Sequence, residues 1–385
     1  MKRYLIYLIG LLFCGLLIGC TAGPVEELPE TAQLVAISFG KPDLGVPDIL
    51  TRADEATPPE PTLLPAGTTV RICGYLRGKA GESTVPVSFA TVAPSFEMTY
   101  VVKADGSLSS CLVDDTGMEL SGNVGELIVR GGVYDFYAVS PARKPVKDTG
   151  NHYTITALPH KEDVMTSFAR EVTISGTSRV VTLETFRRQC ALLVFNVAPS
   201  PDNALPFEQL FGTKLVLRNI SSSDASLIVG TDTGISLTGG ESCAETEVTF
   251  AGEEFVPVEE ASDPDGMGLN KIKGVILPKN DLPFEVEIGV QRNNETATLK
   301  ATIDKRITFD AGKRYVFTLE VKNNESRLNL RVLAWNAVPF SDGNVGGPDE
   351  PYPDPDIHQG IGIVMTVASW RNIIWSGNGE VGGRE

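Results

Sequence analysis

Apolar and polar residues alternate in short runs along most of this chain, and turn residues separate the runs. Residues 33–39 read Gln-Leu-Val-Ala-Ile-Ser-Phe, a period of two that predicts a strand with alternate side chains facing a core. The same reading predicts strands over 69–76, 97–103, 126–130, 133–139, 171–174 and 179–183. In the second half it gives 191–197, 213–217, 226–229, 245–250, 284–291, 296–303, 315–322 and 328–335. Asp105-Gly106 and Asn293-Asn294 supply turns between neighbours. No long stretch holds a helical period with caps, and residues 207–211 are at most one helical turn. Short strands at near-regular spacing, punctuated by Gly and Asp, predict an all-β chain of packed sheets.

Composition shifts divide the run of strands. Residues 53–65 are acidic and Pro-rich, the signature of a solvated, extended linker. One sheet-like block closes near 184–188, where Phe186-Arg187-Arg188 leads into the next apolar run. Residues 341–347 are Gly-rich, and 348–356 alternate Pro with acids and are stiff and extended. The expected organisation is a leader over 1–19, a tether with a first, removable strand over 20–66, and sandwiches over 67–186 and 187–347. A linker and apolar strand segment over 348–385 complete it. That last segment is the anomaly, because a lone apolar strand outside a domain cannot satisfy its own backbone groups. It either folds back as the last strand of the second domain or completes another subunit's sheet. In the second case Ile361, Ile363, Met365 and Val367 share the buried face.

The start of the chain carries an address. Lys2 and Arg3 precede an uncharged apolar run that ends in Leu17-Ile18-Gly19-Cys20, the order of an export signal. It resembles a bacterial lipobox, with Cys20 the residue that receives lipid and becomes the new N-terminus. The alternatives are an ordinary signal peptide or a lone membrane helix followed by a chance cysteine. Lipidation at Cys20 implies the outer membrane as a partner and a place beyond the inner membrane.

Charge and chemistry narrow the function classes. The chain has 49 acids against 33 bases, a net charge of −16, and such a surface repels nucleic acid. Cys73, Cys111, Cys190 and Cys243 are widely spaced and form no CxxC, so buried free thiols are expected rather than a zinc site. Asp-Thr-Gly occurs at Asp115, Asp148 and Asp232. Two such loops with paired carboxylates would build an aspartic protease, but the flanking residues do not fit one and the tripeptide is an ordinary β turn. There is no HExxH, nucleophile elbow or phosphate loop, and the acidic stretch 253–266 lacks EF-hand spacing. We therefore expect no catalytic residues, no cofactor and no metal.

Several segments together resemble the fimbrillin family of Bacteroidales, lipoprotein precursors of type V pili and related surface proteins. They are the lipobox at Cys20, residues 134–140 (Tyr-Asp-Phe-Tyr-Ala-Val-Ser), Glu162-Asp163-Val164-Met165, residues 187–197, residues 309–319, and Val332-Leu333-Ala334-Trp335. The resemblance implies two tandem transthyretin-like Greek-key β-sandwich domains behind an N-terminal lipoprotein signal, with an appended C-terminal strand. It implies a structural subunit of a cell-surface fimbrium that supports adhesion, with partners among its own copies, related pilus subunits, and host or bacterial surface receptors. In stalk members an Arg-directed protease removes the first strand and a neighbour's strand fills the groove. Arg52, with Ala53 after it, is the position that matches this cut. A non-polymerising outer-membrane lipoprotein, either a pilus anchor or a binder of glycan or host protein, is the alternative.

Overall fold

A computed structural model of the chain describes residues 34–44, 62–78, 88–122, 124–199, 210–221, 225–239, 246–258, 270–280, 282–292, 295–303, 307–321, 326–334, 363–375 and 381–383. In the first half the strands are β1 (Leu34–Phe39), β2 (Thr69–Gly78), β3 (Phe96–Val102), β4 (Leu108–Ser110), β5 (Leu112–Val113), β6 (Glu119–Leu120) and β7 (Leu127–Arg130). They continue with β8 (Gly132–Ser140), β9 (Val146–Lys147), β10 (Tyr153–Ile155), β11 (Met165–Ile174), β12 (Val180–Val181) and β13 (Arg187–Arg188). The second half opens with β14 (Ala191–Pro199), β15 (Leu210–Arg218), β16 (Ser226–Thr231), β17 (Gly234–Thr238), β18 (Glu247–Ala251) and β19 (Val256–Pro257). It closes with β20 (Asn270–Ile276), β21 (Phe284–Arg292), β22 (Glu295–Ile303), β23 (Lys313–Val321), β24 (Ser326–Ala334), β25 (Ile363–Trp375) and β26 (Val381–Gly383). Among the described residues the one helical element is a 3-10 turn, Gly252–Glu254. The protein is all-β. Leu210 and Phe211, read from sequence as the end of a helical turn, open β15 instead.

The first core lies between a three-stranded sheet, β12-β1-β7, and a six-stranded sheet, β13-β11-β8-β2-β3-β4. Val35, Ile37, Val129 and Val181 come from the small sheet, and Val70, Ile72, Tyr100, Phe136 and Ile174 from the large one. The core of the second half is wrapped by one long sheet that folds over itself, β18-β15-β21-β22-β25-β24-β23-β14-β20-β19. Leu215, Val286 and Leu299 face Phe195, Ile272 and Phe317 across it, and the Phe195 and Phe317 rings stack at 4.5 Å.

A third core joins the halves. Cys73, Tyr75, Tyr137 and Val139, on the far face of the six-stranded sheet, pack with Leu192, Val194, Val275 and Val316 of the second half. A four-stranded sheet, β17-β16-β10-β9, seals the seam. It pairs Thr154 and Ile155 of the first half with Ile228 and Leu227 of the second. Covered on both faces, β8 is buried at every residue, and β14 is buried from Ala191 to Val197. That is why both are apolar at most positions rather than at every second one.

The C-terminal segment is found at home. β25 pairs antiparallel with β22, Leu299 opposite Val367, and with β24, Leu328 opposite Ile363 and Ser326 opposite Met365. Of the two fates open from sequence, the structure holds the fold-back one, with the strand as an interior member of its own chain's sheet rather than an unpaired appendage. The physical reason is that both sheet edges it joins would otherwise present unpaired N–H and C=O groups. Ile361 lies outside the described residues.

Candidate functional site

β1 was legible as an alternating strand, and it occupies a slot in the first half. Its antiparallel partner β7 sets Ala36 opposite Ile128 and Leu34 opposite Arg130. Its parallel partner β12 sets Ser38 opposite Val180 and Phe39 opposite Val181. Both edges of β1 are thereby used, and the chain continues in the same groove. Gly40 donates its N–H to the Val181 carbonyl at 2.9 Å, Leu44 to Thr62 at 2.7 Å, and Phe186 to Asp43 at 2.7 Å. The inward side chains Val35 and Ile37 are buried in the first core, as is Leu44. The Phe39 ring meets Tyr100 and Phe136 edge-on at 5.4 and 5.5 Å. Burying Val35 and Ile37 contributes on the order of 4 kcal/mol before entropy. Without β1, the slot would present two unpaired strand edges over an aromatic floor.

The slot sits on a rigid base. Asp135, in the middle of β8, is almost fully buried, and its carboxylate accepts from the Arg77 guanidinium at 2.7 Å and from the Glu171 backbone N–H at 2.8 Å. Glu171 stands at a bulge of β11 with φ of +55°, and Asp135 fixes the amide turned inward there. Neighbouring Arg170 donates to the Thr231 carbonyl at 3.1 Å, tying the first half to the β16–β17 hairpin. A buried ion pair of this kind contributes little net stability, but removing one partner is strongly destabilising.

A strap over 158–161 crosses the seam. Leu158 donates its N–H to Ala225 at 3.0 Å and Lys161 to Val275 at 2.8 Å. Lys161 also pairs with Glu254 at 3.2 Å and lies over the Phe250 ring. His160 Nε2–H donates to the Ser221 carbonyl at 2.7 Å, and its Nδ1 accepts the Leu277 N–H at 3.2 Å. This geometry needs neutral imidazole, and burial holds His160 below the ordinary histidine range. A depressed folded-state pKa gives stability that is complete above the unfolded value of about 6.5 and declines as pH falls toward the folded value. We expect the melting temperature to drop between pH 7 and 5, and His160→Gln to be less stable at pH 7.5 but flatter across that window. Parallel melting curves for the two proteins over this range would contradict the assignment.

Other residues singled out from sequence fall as follows. Cys73, Cys111 and Cys190 are free and buried, and burial pushes the Cys73 and Cys190 thiols up to about 12, so both stay inert thiols. Asp115, Asp148 and Asp232 sit in three different hairpins, β5–β6, β9–β10 and β16–β17, and no hydrogen bond joins any two of them among the described residues. The Asp148 carboxylate instead accepts the His152 N–H at 2.8 Å, an ordinary turn role. Among the described residues no three of His, Cys, Asp and Glu gather into a metal-binding group. Cys20, Arg52, Ala53 and Cys243 lie outside the described residues. Ile363, Met365 and Val367 lie in β25.

The sequence matches the profile of the fimbrillin-like family over residues 129–335. No curated protein matches it. Among solved structures, a candidate cell adhesion protein from Bacteroides fragilis superposes with a TM-score of 0.52 at 16% identity, over 79% of this chain and 99% of that one. A second, from Bacteroides uniformis, covers 80% of this chain and 99% of its own at 15% identity, with a TM-score of 0.47. The tip fimbrial protein Mfa3 from Porphyromonas gingivalis covers 78% of this chain and 98% of its own at 10% identity and a TM-score of 0.34. The first of these supports the architecture, and the profile spans strands of both halves and the seam between them. This chain belongs to the fimbrillin-like family, whose members are structural and adhesive proteins rather than enzymes.

Proposed function

We propose that the protein is a structural subunit of a cell-surface pilus that supports adhesion, exported as a lipoprotein on Cys20 and assembled by strand exchange. Family membership supports the pilus-subunit role and a place at the cell-surface fimbrium. In the fuller reading a protease cuts between Arg52 and Ala53, the leading segment departs with its lipid, and a neighbouring subunit's C-terminal strand fills the vacated slot. The observation that carries this is β1 itself, a strand paired on both edges whose side chains complete an otherwise finished core. A donor strand of about ten residues would satisfy both edges. Seating Ile361, Ile363, Met365 and Val367 would contribute on the order of 6–10 kcal/mol before entropy.

The home pairing of β25 adds a step, since the strand must leave β22 and β24 before it is donated. Residues 335–362 lead to it and reach roughly 90 Å when extended, enough to serve its own sheet or a neighbour's. A disulfide across the facing positions Ser326 and Met365 tests this step. The double variant Ser326→Cys, Met365→Cys, treated with an Arg-specific protease, is expected to stay monomeric when oxidised and to form ladders once reduced. Ladders in the oxidised protein would overturn donation by β25. The same home pairing also supports a second reading, a non-polymerising surface lipoprotein acting as a pilus anchor or as a binder of glycan or host protein. That reading predicts monomers in both redox states.

A further inference from the structure

The outward face of the β12-β1-β7 sheet breaks the pattern of the rest of the chain. A sheet packed on one side presents polar residues on the other. Here the solvent side carries Leu34 at 67% exposure, Ile128 at 58% and Val180 at 61%, with Ala36 and Ser38 between them. They are neighbours, because Ala36 stands opposite Ile128, Ser38 opposite Val180, and Leu34 two residues along the same face of β1. The charged strand residue on this face is a base, exposed Arg130. Exposed Arg179 precedes Val180, and the nearest acid of these segments, Glu126, lies just outside β7. In a chain of net charge −16, an apolar patch edged by two arginines against one acid, Glu126, calls for a specific occupant.

We propose that this face docks on the lipid surface that holds the acyl chains of Cys20, with Leu34, Ile128 and Val180 in the headgroup boundary and Arg130 on lipid phosphates. The proposal rests on the lipoprotein reading above. Three observations choose a membrane over a second copy of the chain. Cys20 precedes Leu34 by so few residues that the anchor holds this strand within roughly 50 Å of the bilayer. The sign of the edging charge suits phosphate-bearing lipid rather than the acidic surface of another copy. The face offers three large apolar side chains, Leu34, Ile128 and Val180, where a stable dimer interface takes roughly 20–30 residues a side. A weak contact is enough beside a covalent anchor, because tethering supplies a high effective concentration. β1 forms the middle of this face, so a cut at Arg52 would release the lipid and dismantle the docking surface together.

The test uses lipidated protein purified from bacterial membranes and reconstituted in vesicles of phosphatidylethanolamine and phosphatidylglycerol carrying a chain quencher. An environment-sensitive fluorophore is attached at Ile128→Cys in a Cys243→Ser background, the described native thiols being buried. Met118→Cys, on the exposed β5–β6 turn, serves as the control, and mass spectrometry reports acylation of Cys20. Docking predicts emission at residue 128 quenched roughly twofold, with the control unchanged. Acylated protein with an unquenched label at 128 would overturn the docking and leave the lipoprotein reading intact. Protein without acyl chains would overturn both.

Discussion

Replacing Ile37 with Asp is expected to drive β1 out of its slot while the rest of the chain stays folded. Ile37 is 6% exposed and packs in the first core. Losing it forfeits about 2–5 kcal/mol as transfer and cavity terms, and an ionised carboxylate left unpaired in that core adds several more. The side chains remaining on the strand, chiefly Val35 and Phe39, offset only part of this. The six-stranded sheet below keeps its own ladder from β13 to β4 and its second packed face, so the fold survives as the slot opens. Proteolysis within 34–44 should accelerate on the order of 100-fold, because cleavage tracks the population of the open form. Ala36→Asp, exposed on the other side of the same strand, should leave the rate unchanged. Equal protection of Ile37→Asp and the unaltered protein would mean that β1 is not held by its inward side chains.

Much of the architecture was legible because the period-two signal survives wherever one sheet face is wet. β1 is the clearest case, with exposure and burial alternating from Leu34 to Ile37. The seam between the halves was not legible. Its strands β8 and β14 could be placed as strands, but their nearly continuous apolar residues at 133–139 and 191–197, interrupted by Asp135 and Asn196, are the mark of a sheet covered on both faces. Asp135 inside such a run was the further clue, since a carboxylate there needs a buried partner, which Arg77 supplies. β20 gives no clear alternating signal, because Gly274 interrupts its pattern. A Cβ there would lie 2.4 Å from the Phe250 ring, so packing against that ring rather than strand propensity sets the residue. The home of β25 was open for a different reason. Residues 335–362 separate it from β24, and a strand at the end of such a tether has no local signal for which edge it joins. Of the candidate site, Val35, Ile37 and Phe39 could be assigned to the core side from sequence. The apolar outer face of the same sheet could not, because Ile128 and Val180 meet it only through register.

The second large effect expected is the onset of assembly itself. While β1 fills its slot the edges of β7 and β12 that line it are paired, so the uncut protein should remain monomeric at any concentration at which it is soluble. Removing residues 20–52 exposes the slot and should take the protein from no polymer to mostly polymer. The measurement that tests this most directly is size and N-terminal sequence together, taken before and after treatment of the purified lipoprotein with an Arg-specific protease. Monomers that begin at Cys20 are expected before treatment, and ladders of subunits that begin at Ala53 after it. Protein that begins at Ala53 and stays monomeric, or ladders in which β1 is still present, would contradict this expectation.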